Sequence, residues 1–283
     1  MYKYKPIRFY LIVFSLTWAF WIPAAFVPEE YRMLLMLLGL FVPAVTAMTT
    51  VLTSKSDALK ADLKAKLVGA FRVKPFVVII AVVSFFAIIA ASILLSTFAG
   101  QTWRQFSFVA GFSFSIGGSS ALLTIVLAAL LEELGWRGYA EDAIASYHNW
   151  FTESLIFGLV WAAWHMPLFF IEGTYHYNIL QQSPLYMVNF FVSIMPLGFI
   201  VTWVYVKNER SIFACMIFHF FVNLLQEKVA MTQITKCVET LVLFAVAAIV
   251  IIANREMFFE KRHIGRLLED AHLKKGRIVN EKG

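Results

Sequence analysis

The chain has 283 residues, of which 60% are hydrophobic and 15% are charged, whereas soluble domains are about 25% charged. So much apolar sequence excludes an ordinary soluble globular domain and predicts a polytopic membrane protein. The net charge of +6 does not indicate nucleic-acid binding, because the basic residues lie in loops and tails between apolar runs.

Eight apolar segments are long enough to cross the hydrocarbon core, which requires about 20 residues in a helix. Each is predicted to be helical, because a backbone in lipid must satisfy its own hydrogen bonds. The predicted fold class is therefore all-α, a membrane helical bundle that forms one integral membrane domain over residues 1–283. In chain order the predicted spans are 8–27, 31–52, 75–98, 118–140, 150–171, 186–206, 211–230 and 235–254.

Lysine and arginine are distributed unequally between the two faces that these spans define. Nineteen of the 24 lie in the N-terminal segment, the loop at 53–74, the loop at 207–210 and the tail at 255–283. Because loops on the cytoplasmic side are enriched in these residues, both termini are predicted to be cytoplasmic. No cleavable signal peptide is evident, since the first apolar segment is long enough to span.

The loop at 53–74 has the pattern of a short amphipathic helix. Leu59, Leu63 and Leu67 recur at every fourth residue, with lysines between them. Such a helix either lies on the anionic inner leaflet or is a solvated loop helix, and the sequence favours neither.

Three smaller features lie beside the spans. Residues 101–117 are rich in aromatic side chains, which predicts an interfacial helix on the outer side. The basic tail at 255–283 is predicted to be partly helical and to anchor at the inner leaflet. Cys215 and Cys237 lie in or beside apolar segments and are interpreted as core residues rather than as a disulfide.

The fourth predicted span carries two acids and an arginine directly after an uncharged run. Ionisable side chains at membrane depth are costly, which makes them functional candidates. Glu133 and Arg137 are four residues apart and are predicted to form a buried ion pair on one helix face. Glu132 points about 100° away without a local counter-ion, which makes it a candidate general base. In the alternative interpretation, both glutamates share Arg137.

Two later spans carry one embedded histidine each. His165 follows Trp161 by one turn, so Trp161 either stacks on the imidazole ring or lines a pocket, and Pro167 is expected to bend the helix. His219 and Asn223 share a helix face and could donate two hydrogen bonds to an oxyanion. The structural alternatives are a hydrogen-bonded helix-end histidine and ordinary interhelical hydrogen bonds.

Taken together, a carboxylate, two imidazoles and a carboxamide within the apolar layer favour hydrolysis. A Ser-His-Asp set with supporting context and a His-Glu-x-x-His motif are both absent, so the sequence supports neither a serine hydrolase nor a zincin. Two other function classes remain open. One is a transporter or channel with a proton relay, and the other is a non-catalytic immunity or scaffold protein.

The order and spacing of these residues resemble the motifs of the CAAX-protease and bacteriocin-processing family, the intramembrane endopeptidases also called the Abi family. That family includes the Ras-converting CAAX endopeptidases of eukaryotes. The matching core lies within 118–230, and Trp161 stands where the family usually has Phe. The three motifs are Glu132-Glu133-x-x-x-Arg137, Trp161-x-x-x-His165 and His219-x-x-x-Asn223.

The resemblance implies an intramembrane endopeptidase with a site below the membrane surface. By position, Glu132 is the catalytic glutamate and activates water together with His165. His219 and Asn223 stabilise the oxyanion. Glu133, Arg137 and Trp161 are supporting residues.

The resemblance leaves cofactor and substrate open. Glu132, His165 and His219 could hold a divalent metal such as zinc, but asparagine is a poor zinc ligand, which favours metal-independent catalysis. The expected partner is a membrane-associated or lipidated peptide in the lipid bilayer. The short loops and the absence of an organelle signal favour the bacterial cytoplasmic membrane.

Overall fold

The structure, a computed structural model, describes residues 2–68, 73–111 and 121–260 as a bundle of helices. The helices are α1 (Pro6–Ala24), α2 (Glu29–Leu52), α3 (Asp57–Val68), α4 (Pro75–Ser96), α5 (Ala121–Gly135), α6 (Glu141–Ala145), α7 (Trp150–Trp164), α8 (Tyr175–Gln182), α9 (Pro184–Lys207), α10 (Ile212–Lys228), α11 (Gln233–Ala253) and α12 (Arg255–Phe259).

Six helical segments of the described chain are long and apolar enough to cross a membrane: α1, α2, α4, α7 with the turn after it, α9 and α11. This confirms an all-α polytopic membrane protein. The other two predicted spans correspond to α5 and α10, which have 15 and 17 residues and are not among the six. The count of eight spans therefore stays a prediction.

The outer surface of the bundle is apolar, as a lipid-facing surface must be. Ile7 on α1, Phe76 on α4 and Leu241 on α11 are each at least 70% exposed. In water an apolar surface of this kind would be a liability, whereas hydrocarbon solvates it. The interior is packed with fully buried aromatic rings, including those of Trp136 and Trp164.

The helix that carries the acid pair packs directly against α2. A Cβ atom added at Gly135 would lie 2.4 Å from the Cβ of Pro43 and 2.7 Å from its carbonyl carbon. Only glycine therefore allows this approach. After Gly135 the chain continues as one π-helical turn, Trp136–Ala140, and then as α6. Such π-turns are often found at functional sites.

The loop helix predicted within 53–74 is present as α3, but it is docked on protein rather than freely solvated. Leu59 and Leu63 are buried, whereas Leu67 is exposed. Lys66 is buried as well, and its ammonium group contacts Asp62 at 3.2 Å and also Asp142.

Asp62 joins α3 to the rest of the bundle. Both of its oxygens accept hydrogen bonds from Arg210, at 2.8 and 2.7 Å, just before α10. Burial by itself would raise the pKa of Asp62, but the charges of Lys66 and Arg210 hold it well below its usual value. This ion-pair network fixes α3 against α6 and the start of α10.

Two local predictions were wrong. Pro167 does not bend α7, because α7 ends at Trp164 and Pro167 lies in the first turn of a separate 3₁₀ segment, Met166–Phe170. Within 101–111 the aromatic segment forms only a short 3₁₀ turn, Trp103–Gln105, and a single β-bridge from Phe108 to Val229. No interfacial helix forms there.

Parts of four predictions fall outside the described residues. These parts are residues 112–117 of the aromatic segment, residues 118–120 of the fourth predicted span, residues 69–72 of the loop and residues 261–283 of the tail. The described part of the tail begins with α12, which agrees with partial helicity. Cys215 is buried, in agreement with its prediction as a core residue, whereas Cys237 is only partly buried.

Candidate active site

Glu132 is held by neutral hydrogen-bond donors. Its Oε2 atom accepts hydrogen bonds from the indole N–H groups of Trp161, at 2.8 Å, and of Trp136, at 3.4 Å. Among the described residues, no lysine, arginine or histidine forms an ion pair with Glu132, and its side chain is almost entirely buried. The two indoles orient the carboxylate through Oε2, and they leave Oε1 available to a ligand.

Glu133 is ion-paired, as its spacing from Arg137 predicts. The Nε atom of Arg137 lies 3.2 Å from Oε2 of Glu133, and its Nη1 donates to Oε1 at 3.2 Å. The same guanidinium lies 2.9 Å from Glu141 and 4.6 Å from the ring centre of Phe157. Glu141 was missed in the sequence, although it too is four residues from Arg137.

His219 joins this buried cluster from α10. Its Nδ1 atom lies 2.8 Å from Oε1 of Glu133. A carboxylate accepts hydrogen bonds, so Nδ1 is the donor and Nε2 is the ring nitrogen left for a ligand. Glu133 therefore acts through two partners, Arg137 and His219, of which only Arg137 could be read from local spacing.

His165 is fixed in the same way at the C-terminal end of α7. Its Nδ1 donates to the backbone carbonyl of Trp161 at 2.8 Å, which again leaves Nε2 free. The His165 ring lies parallel to that of His176 on α8, with 5.7 Å between ring centres and 24° between planes. His176 was missed, because α8 lies outside the predicted spans and no spacing motif contains it.

One cavity of about 270 Å³ joins these side chains. Residues from all three sequence motifs line it, although 91 positions separate the first from the last. The motif residues on its wall are Glu132, Trp161, His165, His219 and Asn223. The wall also includes His176, Asn189, Gln226, Lys236 and Glu239.

The donor set does not fit the metal site that the sequence left open. Among the described residues, no group of three histidine, cysteine, aspartate or glutamate side chains is arranged to hold a metal ion.

Two comparisons bear on what this arrangement does. The family model for the type II CAAX prenyl endopeptidases, Rce1-like, matches residues 115–225, the region that contains all three motifs. A protein of Methanococcus maripaludis named CAAX prenyl protease 2 is 42% identical over 265 residues, which cover 92% of this chain and 98% of the relative. That relative is archaeal, so a bacterial location for this chain stays a prediction.

Proposed function

Because this chain belongs to the type II CAAX prenyl endopeptidases and is therefore a CAAX-type protease of the membrane, we propose that it hydrolyses a peptide bond near the C-terminus of a prenylated, membrane-associated substrate. Two features support the proposal. The relative is named as a prenyl protease, and the cavity that Glu132 lines is bounded mainly by apolar side chains. Such walls suit a lipidated peptide.

Glu132 is the proposed general base. Its Oε1 atom accepts a proton from a water molecule in the cavity, while Trp161 and Trp136 hold Oε2. The resulting hydroxide attacks the scissile carbonyl carbon. The Nε2 atom of His165 accepts the second hydrogen bond of this water and so orients its lone pair towards the carbonyl.

His219 and Asn223 are the proposed oxyanion donors. Asn223 donates from its amide nitrogen, whereas His219 can donate from Nε2 only when both ring nitrogens carry protons. The Glu133 carboxylate, 2.8 Å from Nδ1, stabilises that imidazolium. When the tetrahedral intermediate collapses, the C–N bond breaks and the protonated Glu132 returns its proton to the leaving amine. No step requires a metal ion.

The proposal rests mainly on the different environments of the two glutamates. Glu132 faces the cavity without a counter-ion, whereas Glu133 is paired with Arg137. Glu132→Gln keeps the shape and one acceptor but cannot take a proton. Its cleavage of a prenylated CAAX peptide is expected to fall by about 100-fold or more, measured by mass spectrometry of the released fragment.

The matched control is Glu172→Gln, which neutralises an exposed glutamate and should leave the rate unchanged. Undiminished cleavage by folded Glu132→Gln protein would refute the general-base assignment.

A further inference from the structure

The cavity contains a cation that the proposed chemistry does not use. Lys236, in the first turn of α11, is the only lysine or arginine among the described residues of the cavity wall. Its ammonium group donates to the hydroxyl of Tyr175 at 3.2 Å and to the carbonyl of Gln226 at 3.4 Å. It also lies 4.5 Å from the ring centre of Tyr175.

All of these partners are neutral. Among the described residues, Lys236 has no carboxylate within ion-pair distance. Glu239 lies one turn further along α11, within range of the charge of Lys236, but its carboxylate forms no direct ion pair with Lys236 and accepts a hydrogen bond of 2.6 Å from the side chain of Gln226. Lys236 is half-buried, and a cation on a mainly apolar cavity wall, held by neutral groups, favours a negatively charged ligand.

The position of Lys236 is fixed before any ligand binds. Asn189 on α9 donates from its amide to the carbonyl of Lys236 at 3.3 Å, and its amide oxygen accepts from Thr240 at 2.8 Å. The hydroxyl of Tyr175 donates to Gln233 at 3.3 Å, which holds the ring beneath the ammonium group. Because Lys236 lies in the first turn of a helix, the helix dipole adds to the positive potential there.

We propose that Lys236 forms a subsite for the free C-terminal carboxylate of the substrate, an inference that rests on the proposed protease function. A CAAX motif ends at the chain terminus, so a bond cut within it lies only a few residues from that carboxylate. Three extended residues span roughly 10 Å. A cavity that holds both Glu132 and Lys236 can therefore take the reacting bond and the chain end together.

This subsite gives the enzyme a physical means to recognise chain ends. An internal peptide segment has no carboxylate at the required place, so its binding would gain no ion pair with the half-buried ammonium group of Lys236. The enzyme would then recognise the C-terminus of the substrate by its charge, independently of the prenyl group.

The first test measures binding, so it does not depend on catalysis. Fluorescence polarisation of a farnesylated peptide ending in Cys-Val-Ile-Ala is measured with Glu132→Gln protein, using the free acid and the C-terminal carboxamide. The acid is expected to bind about tenfold more tightly or better. Lys236→Gln in the same background should abolish the preference, and Lys236→Arg should keep it, since a guanidinium also binds carboxylates.

The second test compares kcat/KM for the same two peptides with otherwise wild-type protein. The Lys236→Gln protein should cleave the carboxamide at the wild-type rate, which would show that the variant is folded. It should cleave the free acid no faster than the carboxamide. Lys228→Gln removes a charge near the same end of the bundle from a side chain outside the cavity wall, and it should retain the preference.

The outcomes separate the subsite from the protease function. Equal binding of acid and carboxamide by the Glu132→Gln protein overturns the subsite, even if wild-type protein cleaves both. Selective binding of the acid without cleavage by wild-type protein supports the subsite and overturns the proposed protease function. Persistence of the preference in Lys236→Gln also overturns the subsite.

Discussion

Two adjacent glutamates have opposite environments because neighbouring residues on a helix point about 100° apart. Glu133 points into a cluster with Arg137 and His219, where both of its oxygens face the guanidinium of Arg137. Glu132 points into the cavity, where it meets indole N–H groups. Glu133 therefore stabilises the buried cluster, whereas Glu132 is available to react with a ligand in the cavity.

This division predicts different consequences for the same substitution at the two positions. Glu133→Gln leaves Arg137 and His219 without a shared anion in the buried interior, so we expect a loss of about 3–5 kcal/mol in the free energy of unfolding. Glu132→Gln should change stability far less, because its partners are neutral donors. Thermal unfolding in detergent compares the two variants directly. A larger loss in Glu132→Gln than in Glu133→Gln would contradict the division.

At the scale of elements, the approach of α5 to α2 determines where the acid pair lies. Gly135 touches Pro43, and the next residues form the π-turn that carries Arg137. Close backbone packing therefore helps to position the motif. Helix α3 contacts the same π-turn. The ammonium group of Lys66 donates hydrogen bonds to the backbone carbonyls of Arg137, at 3.1 Å, and of Gly138, at 3.3 Å.

A methyl group at Gly135 should therefore be damaging. Gly135→Ala forces α5 away from α2, with an expected cost of about 1–3 kcal/mol in the free energy of unfolding. The same shift should reduce cleavage, because Glu132 lies one turn away. The melting temperature and the rate are measured on the same preparation.

Gly138→Ala is the matched control. A Cβ atom there would lie 3.6 Å from Ala47 and 3.8 Å from Leu63, which are ordinary contacts. Equal effects of the two substitutions would show that close packing at Gly135 does not matter.

At the scale of the whole molecule, the cavity extends towards the face opposite the termini. The four-residue connection at 25–28 joins α1 to α2, and that at 229–232 joins α10 to α11. Trp21, Met36 and Lys236 line the cavity from helix turns near these connections. The terminal face, in contrast, carries most of the lysine and arginine residues that the structure describes.

The charge distribution predicts that the termini are cytoplasmic, which places the cavity mouth on the other side of the membrane. Single cysteines test this orientation in a Cys237→Ser background. With an impermeant maleimide, Thr53→Cys should be labelled only from the cytoplasm and Gln181→Cys only from outside, and both positions are exposed. Both should react after solubilisation in detergent. The reverse pattern would contradict the charge argument and place the cavity mouth in the cytoplasm.

The sequence by itself determined the helical class, the positions of the apolar segments and the pairing of Glu133 with Arg137. These follow from hydropathy and helical periodicity, which depend on residues close together in the chain. Predictions based on a single nearby feature were less reliable. Pro167 lies in a 3₁₀ segment beyond the end of α7 instead of bending that helix.

Only the tertiary structure decided which polar groups meet. The bond from Trp161 to Glu132 joins residues 29 positions apart, and that from His219 to Glu133 joins residues 86 positions apart. His176 and Lys236 reach the same cavity from segments that carry no motif. Spacing along one helix cannot reveal such contacts, because they depend on how separate helices pack around a shared space.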